Sequence, residues 1–277
     1  SHLIEMGYLT TEKKKVTVKT FVEMKRDGNK IAMLTAYDYT TARLIDEAGV
    51  DSILVGDSAS NVMLGNDSTL PITLDEMIVY ARGVARGCQR ALVVCDMPFG
   101  SYQVSPEEGV RNAVRLIRET GVDAVKLEGG EEVAPTIERI VNAGIPVVGH
   151  LGLTPQSIHK FGGYGVRARS EVEATKLIAD AQALEKAGCF AVVLEKIPSS
   201  VAQQVTDLLS VPTIGIGAGS HCDGQVLVYA DAMGLTQGFE PKFLREFAAM
   251  GEELRRGVRA YCEAVKGDEF PNESESY

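Results

Sequence analysis

The sequence lacks any apolar run approaching the roughly 20 residues of a membrane span, and no secretory hydrophobic region opens it. It also lacks net positive charge. Lys and Arg number 28 against 38 Asp and Glu, a formal charge of −10, which argues against nucleic acid or an anionic membrane as the main partner because both bind basic patches. Paired cysteines are missing as well. The five, Cys88, Cys95, Cys189, Cys222 and Cys262, are odd in number and none shows C-x-x-C spacing. Neither a zinc site nor a disulfide framework is indicated, and the thiols read as reduced, in a cytoplasmic protein. Present instead are 45% hydrophobic and 24% charged residues over 277 positions. That composition is globular, and the length is typical of a single α/β barrel.

One pattern recurs from end to end: a short apolar run, a polar loop, then an amphipathic helix. The strand candidates are "IAMLTAY" (31–37), "SILVGDS" (52–58), "ALVVCDM" (91–97), "AVKLEGG" (124–130), "PVVGHLG" (146–152), "AVVLEKI" (191–197), "PTIGIGAG" (212–219) and "AMGLTQG" (232–238). Near-continuous apolar character suits parallel strands covered on both faces. Ser105-Pro106-Glu107-Glu108 is a capping box with proline at the first helical position, and Gly121 stops the helix it opens. Thr73…Glu76 and Ser170…Glu173 repeat that spacing, with Gly87 and Gly188 as stops. Alternation of strand and helix implies βαβ units. Eight of them predict a (β/α)8 barrel spanning 1–277 as one domain, with an open doubly wound sheet as the alternative.

Residues 1–16 read as an N-terminal extension, and 17–28 as an extra helix covering the bottom of the barrel. The loops 57–73 and 149–170 are long. The second contains "KFGGYGVRARS", which reads as a mobile lid or an ordered surface loop. Residues 266–277, polar and acidic, are expected to be a mobile tail.

Barrel enzymes build their active sites at the C-terminal ends of the strands. Asp57, Asp96 and Glu128 end the second, third and fourth strands, and Glu195 ends the sixth. Three carboxylates on consecutive strands would repel in a partly buried site unless something positive sat between them. A hard divalent cation such as Mg²⁺ meets that need, with Asp57, Asp96 and Glu128 as ligands, direct or through water. Only His150 among the histidines lies at a strand end, which argues against a His-rich zinc site.

Lys126 and Glu128 lie two apart, so both face inward. Lys126 is read as binding a substrate carboxylate or oxyanion, as a structural counter-ion, or as a Schiff-base lysine of a metal-free aldolase. Glu195, apart from the three acids at an apolar strand end, should have a raised pKa suited to abstracting a proton next to a carbonyl. Lys196 beside it alternates outward. "GIGAGSHCDGQ" reads as a glycine-rich loop entering a helix, where backbone N–H groups can hold phosphate, or as close packing.

Together "LTAYDY", "VGDS", "LGNDSTLP", "DMPFGSY", "KLEGG", "GHLGLTPQS" and "IGIGAGSHCDGQVLV", in order over roughly residues 30 to 240, resemble the ketopantoate hydroxymethyltransferase family. The resemblance implies a barrel of the phosphoenolpyruvate/pyruvate superfamily, usually a homodecamer in bacteria. It implies transfer of a one-carbon unit from 5,10-methylenetetrahydrofolate to 3-methyl-2-oxobutanoate, giving 2-dehydropantoate. It places one metal ion on Asp57, Asp96 and Glu128, substrate contacts on Asp57, Ser58, Asp96 and Lys126 with His150 nearby, and the general base on Glu195. The chain departs from the family pattern at Gly165, usually lysine, and at Asn66, commonly histidine, both in the long loops.

Overall fold

Val, Ile and Leu dominate the eight short runs that pair in parallel, and pairing of each with the next closes the sheet into a barrel. The computed structural model describes residues 14–277. Most of the expected N-terminal extension therefore lies outside the described residues. The strands are β1 (Ile31–Thr35), β2 (Ser52–Val55), β3 (Leu92–Asp96), β4 (Ala124–Lys126), β5 (Val147–Gly152), β6 (Ala191–Glu195), β7 (Thr213–Ile216) and β8 (Gly224–Leu227). Before and between the strands run α1 (Val18–Asp27), α2 (Tyr39–Ala48), α3 (Ala59–Val62), α4 (Leu74–Gly87), α5 (Pro106–Thr120), α6 (Ala134–Asn142), α7 (Ile158–Phe161), α8 (Glu171–Ala187) and α9 (Ser199–Leu208). After β8 come α10 (Tyr229–Ala232) and α11 (Met250–Lys266).

The N-cap predictions hold, but Gly87, expected as a stop, is the last residue of α4 and the extended Cys88 follows it as the C-cap. Thr73, Ser105 and Ser170 each accept the N–H three residues on, and Gly121 and Gly188 end α5 and α8 in the left-handed region that glycine enters without penalty. Helix α1, capped by Thr17, closes the bottom as expected. Its Phe21 is buried among Ile31, Leu92 and Phe190, with the Phe21 and Phe190 rings edge to face at 5.5 Å. Removing a core phenylalanine of this kind costs about 3–5 kcal/mol.

The eighth strand is not where the apolar run 232–238 placed it. It is Gly224–Leu227, inside the glycine-rich segment, while 229–232 is helical and 233–238 is turn. Among the described residues no helix separates β7 from β8, so the glycine-rich loop 217–223 joins two strands and offers no helix N-terminus to an anion. Gly224 packs so close to β1 that a Cβ there would meet the Ile31 carbonyl oxygen at 2.5 Å. Its glycine serves strand packing, although Asp-Gly in sequence looks like turn chemistry.

The barrel unit ends at Val226, and Leu227–Tyr277 forms a second compact unit, a division that the strand–helix periodicity does not announce. Within the second unit the last residues carry a 3₁₀ turn, Glu273–Glu275, capped by Asn272, and the Tyr261 and Phe270 rings meet at 6.0 Å.

Acidic residues mark both ends of the barrel, but in different company. At the bottom, Asp51 accepts the Ala32 N–H, Asp123 the Val93 N–H and Asp223 the Thr213 N–H. Arg90, Lys15 and Lys25 respectively pair with them. These carboxylates stitch neighbouring strands and are satisfied. At the top, Asp96 and Glu128 each accept one main-chain N–H, and Asp57 is held by a side chain instead.

Candidate active site

Asp57, Asp96, Lys126, Glu128 and His150 are all less than a tenth exposed, and all lie at the C-terminal end of the barrel. Register brings them together. Asp96 pairs with Lys126 across β3–β4, and Gly152 with Glu195 across β5–β6. His150 sits two residues before Gly152 on the same strand, its side chain turned inward.

The contacts form one connected set. The Asp57 N–H donates to Asp96 Oδ2 at 2.9 Å. Lys126 Nζ lies 3.1 Å from Asp96 Oδ1, an ion pair rather than a well-directed hydrogen bond, since that oxygen has no hydrogen-bond partner. Lys126 Nζ is also 2.7 Å from His150 Nδ1, and His150 Nε2 is 2.9 Å from Glu195 Oε2. Glu195, expected to stand apart from the three acids, is separated from them by the width of one imidazole.

Burial sets the ionisation. It pushes Asp57 up to about 8, helped by the charge of Asp96, and holds Glu128 well above the usual carboxylate range, helped by Asp57. Burial likewise raises Glu195 to about 7. It drives His150 well below its ordinary value, with the Lys126 charge adding to the effect. For Lys126 burial alone would lower the pKa, but Asp96, Glu128 and Asp57 outweigh it, and the ammonium is held above its usual value. Three buried acids thus face one fixed positive charge.

Three residues in this set carry no signal that charge counting could detect. Gln156 is buried, with Nε2 donating to Asp57 Oδ2 at 2.8 Å and to Met97 O at 3.0 Å, and its N–H donating to Glu128 Oε2 at 3.0 Å. Tyr102 Oη donates to Gln156 Oε1 at 2.5 Å and accepts the Glu128 N–H at 3.1 Å. Tyr37 Oη lies 2.6 Å from Ser58 Oγ and orients that hydroxyl beside Asp57. Gln156 and Tyr102 fall within the "GHLGLTPQS" and "DMPFGSY" motifs, the one cue available in the sequence.

Lys196 is half-exposed and lies just past the end of β6. Its φ of +49° breaks strand alternation, its ammonium donates to the Tyr164 carbonyl, and its own carbonyl accepts the Arg167 N–H at 2.8 Å. Gly165, in the same loop, has open space where a side chain would be. Asn66 donates to Ser60 Oγ and accepts from Asn61, which closes the turn after α3.

Among the described residues no group of three or more His, Cys, Asp or Glu side chains is arranged to hold a metal ion as the side chains stand. Gln156 engages Asp57 and Glu128, and Lys126 engages Asp96. The donor chemistry nevertheless fits a hard divalent cation. All the oxygens are carboxylate oxygens, Asp57 and Glu128 resist charge where they stand, and Asp96 Oδ1 lacks a directed hydrogen bond.

The closed parallel barrel with ionisable residues gathered at its C-terminal mouth defines a TIM-barrel protein of enzyme type. Its fold is similar to 2,3-dimethylmalate lyase, described as a PEP mutase/isocitrate lyase superfamily member, with a TM-score of 0.58 at 17% identity over 94% of this chain and 91% of that one. It is similar also to a phosphonopyruvate hydrolase in complex with oxalate and Mg²⁺, with a TM-score of 0.60 at 11% identity over 93% and 92%. The family model for ketopantoate hydroxymethyltransferase matches residues 15–273, and the chain belongs to that family. The 3-methyl-2-oxobutanoate hydroxymethyltransferase of Flavobacterium johnsoniae is 59% identical over 95% of this chain and 97% of its own length. That of Parabacteroides distasonis is 59% identical over 96% and 97%, and that of Bacteroides thetaiotaomicron 56% over 98% and 99%.

Proposed function

We propose that this chain transfers a hydroxymethyl group from 5,10-methylenetetrahydrofolate to 3-methyl-2-oxobutanoate, forming 2-dehydropantoate in pantothenate biosynthesis. The observation that carries the chemistry is the line Lys126–His150–Glu195, which links a fixed cation to a carboxylate whose pKa is about 7. Glu195 takes the C3 proton of the oxo acid, and the electron pair of that C–H bond moves into the enolate. Water opens the folate methylene bridge: its oxygen bonds to the methylene carbon, both C–N bonds break, and the two nitrogens take the water protons. C3 then attacks the resulting carbonyl carbon, whose oxygen takes the proton held by Glu195. Water supplies the hydroxyl oxygen, and tetrahydrofolate leaves. Lys126 stabilises negative charge growing on the substrate oxygen, an interaction strongest where water is excluded. Ser58, held by Tyr37, hydrogen-bonds the substrate carboxylate. Asp57, Asp96 and Glu128, direct or through water, would hold a Mg²⁺ ion, which would supply Lewis-acid stabilisation of the enolate.

Assembly into a homodecamer in the cytoplasm belongs to the same reading. Helix α11 supports self-association, because Leu254, Val258, Tyr261 and Val265 form an exposed apolar stripe at helical spacing. All five cysteines are free, in keeping with reducing surroundings.

The direct test is C3 deuterium exchange of 3-methyl-2-oxobutanoate in D₂O followed by NMR, with Mg²⁺, with EDTA and with Glu195→Gln. Exchange that requires both the metal and Glu195 is the expected result. Exchange that survives both EDTA and Glu195→Gln would remove the reading.

A further inference from the structure

Gln156 lies in the turn Pro155–Ser157 that follows β5, and every hydrogen-bonding position of its side chain is used. The two Nε2 protons go to Asp57 Oδ2 and Met97 O. Oε1 accepts from Tyr102 Oη and, at 3.1 Å, from Gln103 Nε2. A main-chain carbonyl can only accept, so the amide cannot be flipped without setting its oxygen against Met97 O. The main-chain N–H of the same residue meets Glu128 Oε2. One residue of the β5 loop therefore holds two of the three acids, Asp57 from the end of β2 and Glu128 from beyond β4, and its bonds to both acids are buried.

We propose that Gln156 is a positioning residue that sets the separation and orientation of Asp57 and Glu128 for the divalent cation; this rests on the metal reading given above. A carboxylate without such a partner is free to rotate about its last bonds, and groups that orient metal-bound carboxylates typically carry tenfold to hundredfold in affinity. The hydrogen bonds of Gln156 go to Asp57, Glu128, Met97, Tyr102 and Gln103 and none to Glu195, so it acts through the acids. The same bonds seat the loop on the site, so the turn after β5 and the acids move together.

The test titrates Mn²⁺ into the full-length wild type, Gln156→Met and Gln156→Asn, counting free Mn²⁺ by electron paramagnetic resonance. Circular dichroism and thermal melts establish that each variant is folded. Met keeps the length of the side chain without its donors; Asn keeps the amide but is one methylene too short to span Asp57 and Met97 together. The expected result is one tight Mn²⁺ per wild-type chain and Kd raised about tenfold or more in both folded variants. Folded variants that bind Mn²⁺ within twofold of wild type overturn the proposal and leave the metal reading standing. A wild type that binds no Mn²⁺ stoichiometrically overturns the metal reading and this one with it. Failure of both variants to fold would make Gln156 a folding residue and overturn its positioning role.

Discussion

Lys126 Nζ stands 2.7 Å from His150 Nδ1, and an ammonium can only donate, so that ring nitrogen accepts. The single proton of the neutral imidazole then sits on Nε2 and is donated to Glu195 Oε2, 2.9 Å away. Burial and the Lys126 charge both oppose a second proton on the ring. The tautomer of His150 is thus fixed by its neighbours, and Glu195 is held by a donor that favours its ionised form.

The pH dependence of proton abstraction follows. Glu195 must be ionised to act as a base, and its pKa of about 7 means that exchange at C3 falls about tenfold per pH unit below that value and levels off above it. His150→Ala deletes the hydrogen bond to the carboxylate form, which moves the break to higher pH. Rate profiles of deuterium exchange for wild type and variant check this. A break that stays in place or moves to lower pH would remove the role assigned to His150.

Asp57 makes a second pH argument, of opposite sense to a carboxylate held ionised in a salt bridge. Its folded-state pKa of about 8 exceeds the ordinary 3.8, so between those values the folded state binds more protons than the unfolded one. Stability contributed by this group is then lost as pH rises. Without divalent cations the cost at pH 8.5 is on the order of a few kcal/mol, reduced by coupling to the neighbouring acids. Asp57→Asn should raise Tm by roughly 5 °C or more at pH 8.5, should do so progressively less towards pH 4, and should abolish exchange. Added Mg²⁺ should raise Tm of the wild type and leave the variant unmoved. Thermal melts at the two pH values, with and without Mg²⁺, make the check.

Strand order, helix caps and the four acids could be read from the chain because each leaves a local mark: an apolar run, a Ser-x-x-Glu, or a charge at the end of a buried strand. Gln156 leaves none. Its amide is uncharged, it lies in a turn, and its importance arises only when β2, β4 and the β5 loop meet. The eighth strand was hidden for a related reason, since Gly224 and Gln225 resemble a turn until Ile31 is packed against them. Lys196 escaped because period-two reasoning stops where φ turns positive. Residue types with local preferences are readable; those whose role lies in a long-range contact are not.

Lys126 decides between metal-assisted chemistry and a Schiff base. A Schiff-base lysine must lose its proton at working pH, whereas here three carboxylates hold the ammonium and Asp96 pairs with it at 3.1 Å. Borohydride added with 3-methyl-2-oxobutanoate should trap no adduct by mass spectrometry. Lys126→Met should lower exchange about 10²–10³-fold while the chain still folds. An adduct at Lys126 would reverse the assignment.

Gly152 limits what the end of β5 can tolerate. Its φ is +88°, and a Cβ there would come 2.3 Å from the Glu195 carbonyl oxygen and 2.8 Å from the Ile197 side chain. The strand holding His150 and the one holding Glu195 approach too closely for any side chain. Gly152→Ala must push β6 away, so it should cost both stability, by about 2 kcal/mol or more, and exchange activity. Denaturant melts together with exchange rates test this; a variant with wild-type midpoint and rate would show that the approach is not required.

Lys196 ties the loop 164–167 to the residue following the proposed base. Its ammonium holds the Tyr164 carbonyl, its carbonyl holds the Arg167 N–H, and its own N–H is held by Ile216 O at 2.8 Å. Arg167 in turn pairs with Glu173 at 2.6 Å and stacks over the Phe161 ring at 4.0 Å. Lys196→Ala removes the ammonium and its stem but keeps the left-handed backbone, so amide hydrogen exchange over 164–168 should quicken, and KM should rise more than kcat falls. Lys196→Gly removes the ammonium and also the left-handed strain, worth roughly 1 kcal/mol. It should match the alanine variant in loop exchange while equalling or exceeding wild type in stability. Loop amides that exchange at the wild-type rate in both variants would show that the ammonium does not hold the loop, and that the two main-chain hydrogen bonds are sufficient.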